Sequence, residues 1–305
     1  LSSCRQRQMC IRDREIYRIS ECLTGSGRWQ CPQCVAIGGE EGVGKSALLE
    51  KTRQMVKGYQ MISLHAACYK DETEFFLRPW NDIFWEIEQC MENGLLERDI
   101  TDDERGKLKK VLKGLLSEGS EKMGRLTYQI MEQSVLEMFR RIAQQHKVVL
   151  FFDDIQYMDQ MSFQLLNRVL LTIGTDRLLL VCTYSQDSDT KVMEALEKLM
   201  KKDCLQVIAL NSFTRKEADE LLHRYLPQLD KEEEKRENIY QMTDGNAFFL
   251  MELMNLIKEK GYTLEISPKT TNVIKARLAE IPESENEVLE LSLIHISEPT
   301  RHAQI

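Results

Sequence analysis

Gly39-Glu40-Glu41-Gly42-Val43-Gly44-Lys45-Ser46 is a complete G-x-x-x-x-G-K-[ST] loop, set between the apolar run Val35-Ala36-Ile37-Gly38 and a helix-like run beginning at Ala47. Strand, glycine-rich loop and helix in that order predict a phosphate cradle. The glycines let backbone N–H groups turn inward around phosphate oxygens, Lys45 reaches the outer phosphates, and the Ser46 hydroxyl ligates magnesium. The helix that starts at Lys45 adds the positive end of its dipole. A chance glycine-rich turn is the bland alternative, and the flanking strand and helix argue against it. Gly39 to Ser46, with Ala47 behind them, are therefore the expected nucleotide contacts.

Working outward, the second landmark is Lys147-Val-Val-Leu-Phe-Phe-Asp153-Asp154, a short apolar strand carrying two carboxylates to its C-terminal edge. Open parallel sheets collect ligands at that edge. Neighbouring residues of a strand point in different directions, so the pair should not share one role. Asp153 is assigned to the magnesium shell and Asp154 to polarising the attacking water, against the alternative of an ordinary turn or cap. Three further strands are read at Tyr59–Ala66, within Arg177–Tyr184, and at Cys204–Leu210. Helical spacing is read at Glu15–Leu23, Lys45–Lys57, Pro79–Cys90, Leu126–Gln145, Asp159–Leu171 and Thr190–Lys202. Five strands separated by helices predict an α/β fold with a mostly parallel five-stranded sheet covered on both faces. In the Pro79 helix, Ile83, Phe84, Ile87 and Cys90 form an apolar stripe, and Glu86 and Glu88 are expected to face water. His65 invites a catalytic reading, but a satisfied histidine near a strand end is the simpler one.

After Asn211 helices follow one another without a credible strand. Ser212 or Thr214 caps Arg215–Tyr225, and Thr214 with Glu217 has capping-box spacing. Lys231–Met242 and Asn246–Lys260 flank Thr243-Asp-Gly245, and Thr271–Glu280 is a further helix. This succession predicts a small helical lid packed by Leu, Ile, Phe and Met.

Both ends look foreign. Arg5 to Arg14 and Leu291 to Arg301 resemble in-frame translations of opposite transposase sequencing adapters. Residues 1–14 and 291–305 are accordingly set aside from fold reasoning, and the remainder is expected to be an internal fragment of a longer parent. The whole chain has 41 basic and 49 acidic side chains; without the two ends the balance is 36 against 47, or −11. This balance disfavours direct nucleic-acid binding by the segment. No targeting signal and no run of 18 apolar residues is present, so a soluble, cytoplasmic location and no membrane partner are expected. Cys31-Pro-Gln-Cys34 is the single C-x-x-C pair, and with no second pair or suitably spaced histidine it reads as reduced thiols rather than a zinc site.

Several stretches together resemble the ATPase segment of the STAND signal-transduction family, within the AAA-like P-loop superfamily. They are Asp153-Asp-Ile-Gln-Tyr-Met-Asp159, Leu210-Asn-Ser-Phe-Thr-Arg-Lys-Glu-Ala218 and Thr243-Asp-Gly-Asn-Ala-Phe-Phe-Leu250. Cys68 to Trp80 resembles a region of large bacterial transcriptional activators, and Ile274 to Leu291 the start of a winged-helix-like unit. The resemblance covers about residues 15–290. It implies a P-loop ATPase domain over 15–211, a helical lid over 212–270 and a winged-helix-like start over 271–290. ATP or ADP with Mg2+ would lie between sheet and lid, with Gly245, Asn246 and Ala247 on the adenine side. Sensor repeats and a helix-turn-helix output domain in the parent are implied partners, as is nucleotide-dependent self-association.

Two departures from the family pattern bear on activity. Ala247 stands where proline is common, and Thr183-Tyr-Ser185 lacks the arginine of the family's T-Y-R. An arginine at the terminal phosphate is worth orders of magnitude in phosphoryl transfer, so the expectation is binding with slow turnover. The leading expectation is a Mg-ATP molecular switch with weak ATPase activity, in which Lys45, Asp153 and Asp154 carry the chemistry and Ser46 and Asp153 hold the metal. A nucleotide-binding scaffold with negligible hydrolysis and a small-molecule kinase are the alternatives. GTP is disfavoured by the absence of an N/T-K-x-D motif after the Asp153 strand.

Overall fold

The computed structural model describes residues 12–24, 34–59, 61–96, 106, 125–173, 177–185, 194 and 205–260. Cys31, Cys204, most of the charged stretch 97–124, all but one residue of the helix expected over 190–202 and the segment 271–290 lie outside the described residues. So do residues 1–11 and 291–305.

The described elements are α1 (Asp13–Thr24), β1 (Cys34–Gly39), α2 (Lys45–Gly58), β2 (Ile62–Ala67), α3 (Arg78–Glu92), α4 (Arg125–Gln145), β3 (Val148–Asp153), α5 (Gln160–Thr172), β4 (Leu178–Ser185), β5 (Leu205–Leu210), α6 (Arg215–Tyr225), α7 (Glu233–Thr243) and α8 (Ala247–Lys260). The strands form one five-stranded, mostly parallel sheet in the order β2-β3-β4-β1-β5. β2 and β3 run parallel from Ile62 opposite Val148 to Ala67 opposite Asp153, and β3 and β4 from Val148 opposite Leu178 to Phe152 opposite Cys182. Their C-terminal ends therefore finish together, with Asp153 on that edge. The first five residues of β3 and all of β4 are buried, as continuous apolar runs in a covered parallel sheet must be. β2, at the sheet edge, alternates buried and half-buried positions instead.

Two compact units share the chain. The sheet unit comprises Ile16–Gly38 and Leu49–Ala209; the loop–lid unit takes the described residues before Ile16, then Gly39–Leu48 and everything from Leu210. In the sheet unit, Trp80 is fully buried, its ring 6.1 Å from those of Phe139 and Phe152, and its indole N–H donates to Ser162 O at 3.1 Å. Lys147 donates at 2.7 Å to Leu23 O, satisfying a carbonyl at the C-terminal end of α1. In the loop–lid unit, Thr214 and Glu217 form the expected capping box at the start of α6. Phe213, Leu222, Ile239, Leu250 and Met254 fill the core between α6, α7 and α8.

Two local readings are corrected. β2 begins at Ile62, because Tyr59 closes α2 in a turn, its N–H donating to Val56 O and its ring exposed. Glu86 does not face water: its carboxylate pairs with Arg53 and accepts from His65 N at 2.6 Å. Trp85, on the same helix, is 61% exposed, so not every aromatic of α3 enters the core. No described helix is long and apolar enough to cross a membrane.

Candidate functional site

The loop between β1 and α2 turns through Gly42 at φ +76 and Gly44 at φ +94. Both angles lie in the left-handed region, which residues with a Cβ rarely adopt. Lys45 follows in the first turn of α2, only 7% exposed, and its ammonium donates to Gly39 O at 3.2 Å and Glu40 O at 2.9 Å. Ser46 and Ala47 are half-buried behind it, and Leu48 N closes the first helical bond on Gly44 O at 3.1 Å. A buried ammonium resting on its own loop's carbonyls is a cation kept at the cradle, and the two left-handed glycines give the cradle its curvature. These features fit an anionic polyphosphate.

Within the same unit the lid residues meet the loop. Asp244 (φ 48) and Gly245 (φ +68) reverse the chain between α7 and α8. Gly245 is obligatory there, since a Cβ would collide with Phe213 O. Asn246 then caps α8, its Oδ1 accepting from Phe248 N at 3.1 Å and Phe249 N at 3.3 Å. Its Nδ2 donates at 2.9 Å to Glu41 O, and Phe248 N also donates at 2.9 Å to Gly42 O. Ala247 stands against Gly44, where an added Cβ would lie 3.8 Å from its own Cβ. Arg12, set aside in the sequence reading, donates to Val43 O at 3.4 Å and Asn211 O at 2.5 Å, with its guanidinium 4.4 Å above the Phe213 ring. Three successive loop carbonyls, of Glu41, Gly42 and Val43, thus accept bonds from outside the loop.

The acidic pair stands in the sheet unit. Asp153 ends β3, and Asp154 leaves it in the left-handed region at φ 51. That twist gives the two carboxylates separate surroundings. The Thr183 hydroxyl, on β4, donates to Asp153 Oδ1 and accepts from Asp154 N at 2.7 Å. Gln156 Nε2 donates to Asp154 Oδ1 at 2.9 Å, while its Oε1 accepts from Ser185 N at 3.3 Å. Asp159 has a structural role, capping α5 by accepting from Met161 N and Ser162 N. Cys68 donates its N–H to Asp153 O at 3.0 Å, and burial, followed by the nearby Asp153 and Asp154 charges, pushes its thiol pKa well up. It is thus an unreactive thiol. His65 is held near pKa 4 by burial and then by Arg53, which makes it a neutral structural histidine.

The structure therefore gathers Gly39 to Ala47 with Gly245, Asn246 and Ala247 in one unit, and Asp153 with Asp154 in the other. Among the described residues no three His, Cys, Asp or Glu side chains cluster as a metal site. Sequence reasoning passed over Thr183 as a partner of Asp153, and over Gln156 and Arg12. For Thr183 a signal existed, a hydroxyl at the end of a buried strand; for Arg12 none did.

A family profile described as AAA ATPase domain matches residues 8–181, more than half of the chain. No curated protein sequence matches it. Among solved structures, domain III of the Thermotoga maritima replication initiation protein DnaA is 14% identical with a TM-score of 0.45, over 86% of this chain and 90% of that one. The Aeropyrum pernix ORC1 protein in complex with DNA is 13% identical with a TM-score of 0.46, over 96% and 74%. AMPPCP-bound DnaA from Aquifex aeolicus is 14% identical with a TM-score of 0.45, over 82% of this chain. This chain spans 62% of the length of that protein and 62% of a further DNA replication initiation factor.

Proposed function

This chain belongs to the AAA ATPase domain family, and from that premise we propose that it is the ATP-binding, slowly hydrolysing module of a bacterial molecular switch of the STAND type. The observation that carries the reading is the loop itself, with left-handed glycines at 42 and 44 and a buried Lys45 whose ammonium rests on Gly39 O and Glu40 O. A triphosphate entering the cradle would compete for that ammonium and for the loop's N–H groups. Ser46 and Asp153 are the residues to hold magnesium, which when bound would neutralise charge on the phosphate oxygens. The Thr183 hydroxyl orients Asp153 by donating to it. Asp154 takes the proton-accepting role toward the attacking water. Slow turnover is supported by Ser185, which places no guanidinium at the end of β4.

The reading as a nucleotide-binding scaffold with negligible hydrolysis is favoured by one observation, that Asp154 Oδ1 is already engaged by Gln156. Signal transduction or transcription control, a cytoplasmic location, self-association, and sensor and helix-turn-helix domains in the parent belong to the same proposal.

Phosphate release from Mg-ATP by the wild type and Asp154→Asn tests the choice. A switch ATPase releases phosphate slowly, and Asp154→Asn lowers that rate about 100-fold, the lower range of a general-base contribution, without emptying the site. Rapid multiple turnover by the wild type would sink the slow-switch reading. Negligible release by the wild type as well as by Asp154→Asn, with nucleotide still bound, would favour the scaffold.

A further inference from the structure

Peptide units of the phosphate loop have two sides. In a planar trans peptide the C=O of one residue and the N–H of the next point in opposite directions. The units joining Glu41 to Gly42 and Gly42 to Val43 thus present an N–H on one side and a carbonyl on the other, and both carbonyls are bonded by the lid. Glu41 O accepts from Asn246 Nδ2, and Gly42 O from Phe248 N, each at 2.9 Å. The same asparagine caps α8 through its other amide atom. A Cβ at Gly42 would lie 2.7 Å from Asn246 Oδ1, so the loop also approaches the asparagine as closely as a glycine allows. One side chain therefore holds the first turn of a 14-residue helix and the outer face of the loop 205 positions earlier in the chain.

We infer that Asn246 is a positioning residue that latches the phosphate loop to the start of α8, so that a rotation of the loop's peptides is transmitted to the helix. It differs from the adenine-side contact expected of this position, because its polar atoms are spent on backbone groups of the protein. The consequence rests on the nucleotide reading above: phosphates that reorient the inner N–H groups must shift the outer carbonyls, and the latch carries that shift into the lid.

Hydrogen exchange of the whole chain, with and without Mg-ATP, tests it on the wild type, Asn246→Ser and Asn246→Ala. Serine keeps a neutral cap on α8 but is too short to reach Glu41 O. Without nucleotide, Asn246→Ser is expected to leave exchange in α8 within about twofold of wild type while amides of residues 41–46 exchange about fivefold faster, the scale of one lost hydrogen bond. Asn246→Ala is expected to accelerate both segments. Wild-type exchange at 41–46 in the serine variant overturns the latch. With Mg-ATP, slowed exchange in α8 of the wild type but not of the serine variant supports the transmission, and equal slowing in both overturns it. A wild type that ignores Mg-ATP contradicts the nucleotide reading and the transmission with it, while the latch is judged on the nucleotide-free comparison.

Discussion

In the loop–lid unit the groups that meet across the chain are backbone carbonyls, one asparagine amide and one guanidinium. At the acidic edge of the sheet unit they are side chains, Thr183 of β4 on Asp153 of β3 and, in the turn after β3, Gln156 on Asp154. Backbone acceptors exist at every residue, so the loop–lid contacts depend on chain path and on glycines that let backbones approach. Side-chain contacts depend on residue type, and on a buried sheet that fixes register. The first region is therefore vulnerable to an added Cβ, and the second to a lost ring or a changed charge.

Gly245→Ala is the strongest way to break the first region. The new methyl would collide with Phe213 O at a residue already at φ +68, and a loss of about 5 kcal/mol or more is expected. Chemical denaturation should show the destabilisation, with helical ellipticity lost from the lid. The matching break in the sheet unit is Trp80→Ala, which empties a fully buried indole site and removes the indole bond to Ser162 O. It should lower unfolding free energy by about 3–5 kcal/mol. If the alanine at 245 proves the milder of the two by a wide margin, the contrast drawn above is wrong.

Acid should act on the sheet unit. Burial and Arg53 lower His65 to about 4, against about 6.5 in an unfolded chain. A base with a lowered folded pKa contributes stability above pH 6.5 and loses it as the pH falls toward 4, by at most about 3 kcal/mol. Burial raises Glu86 against the opposing pull of Arg53 and His65 N, so its protonation offsets part of the loss near the acid end. Urea midpoints should fall between pH 7 and 4.5, and His65→Asn should flatten the fall. A midpoint that rises on acidification contradicts this account. The smallest effect is expected at Thr214→Ala, which removes the α6 capping box for about 1 kcal/mol; a change under about 0.3 kcal/mol would show that this cap is redundant.

What could be read in advance divides along the same line. The phosphate loop, the β3 acids and the Thr214–Glu217 box are local patterns, whose geometry is set within a few residues, and the sequence places each of them. The capping role of Asn246 was equally local in principle. Its bond to Glu41 spans 205 positions and depends on the reversal at Asp244 and Gly245, which no periodicity reports. Glu86 was misplaced for a related reason: helical spacing puts it beside a buried stripe, but the charge of Arg53 and the N–H of His65, brought by α2 and β2, keep it from water. Arg12 lay outside the reading because its segment resembles adapter, and only the structure places it on Phe213 and Asn211.

The central claim is that this loop holds an adenine nucleotide through Lys45. It is tested most directly by purifying wild type and Lys45→Ala, denaturing each and identifying what is released. ADP or ATP from the wild type, with little or none from a Lys45→Ala protein shown by circular dichroism to be folded, is the predicted result. Equal nucleotide from both, or none from either even after incubation with Mg-ATP, would contradict it.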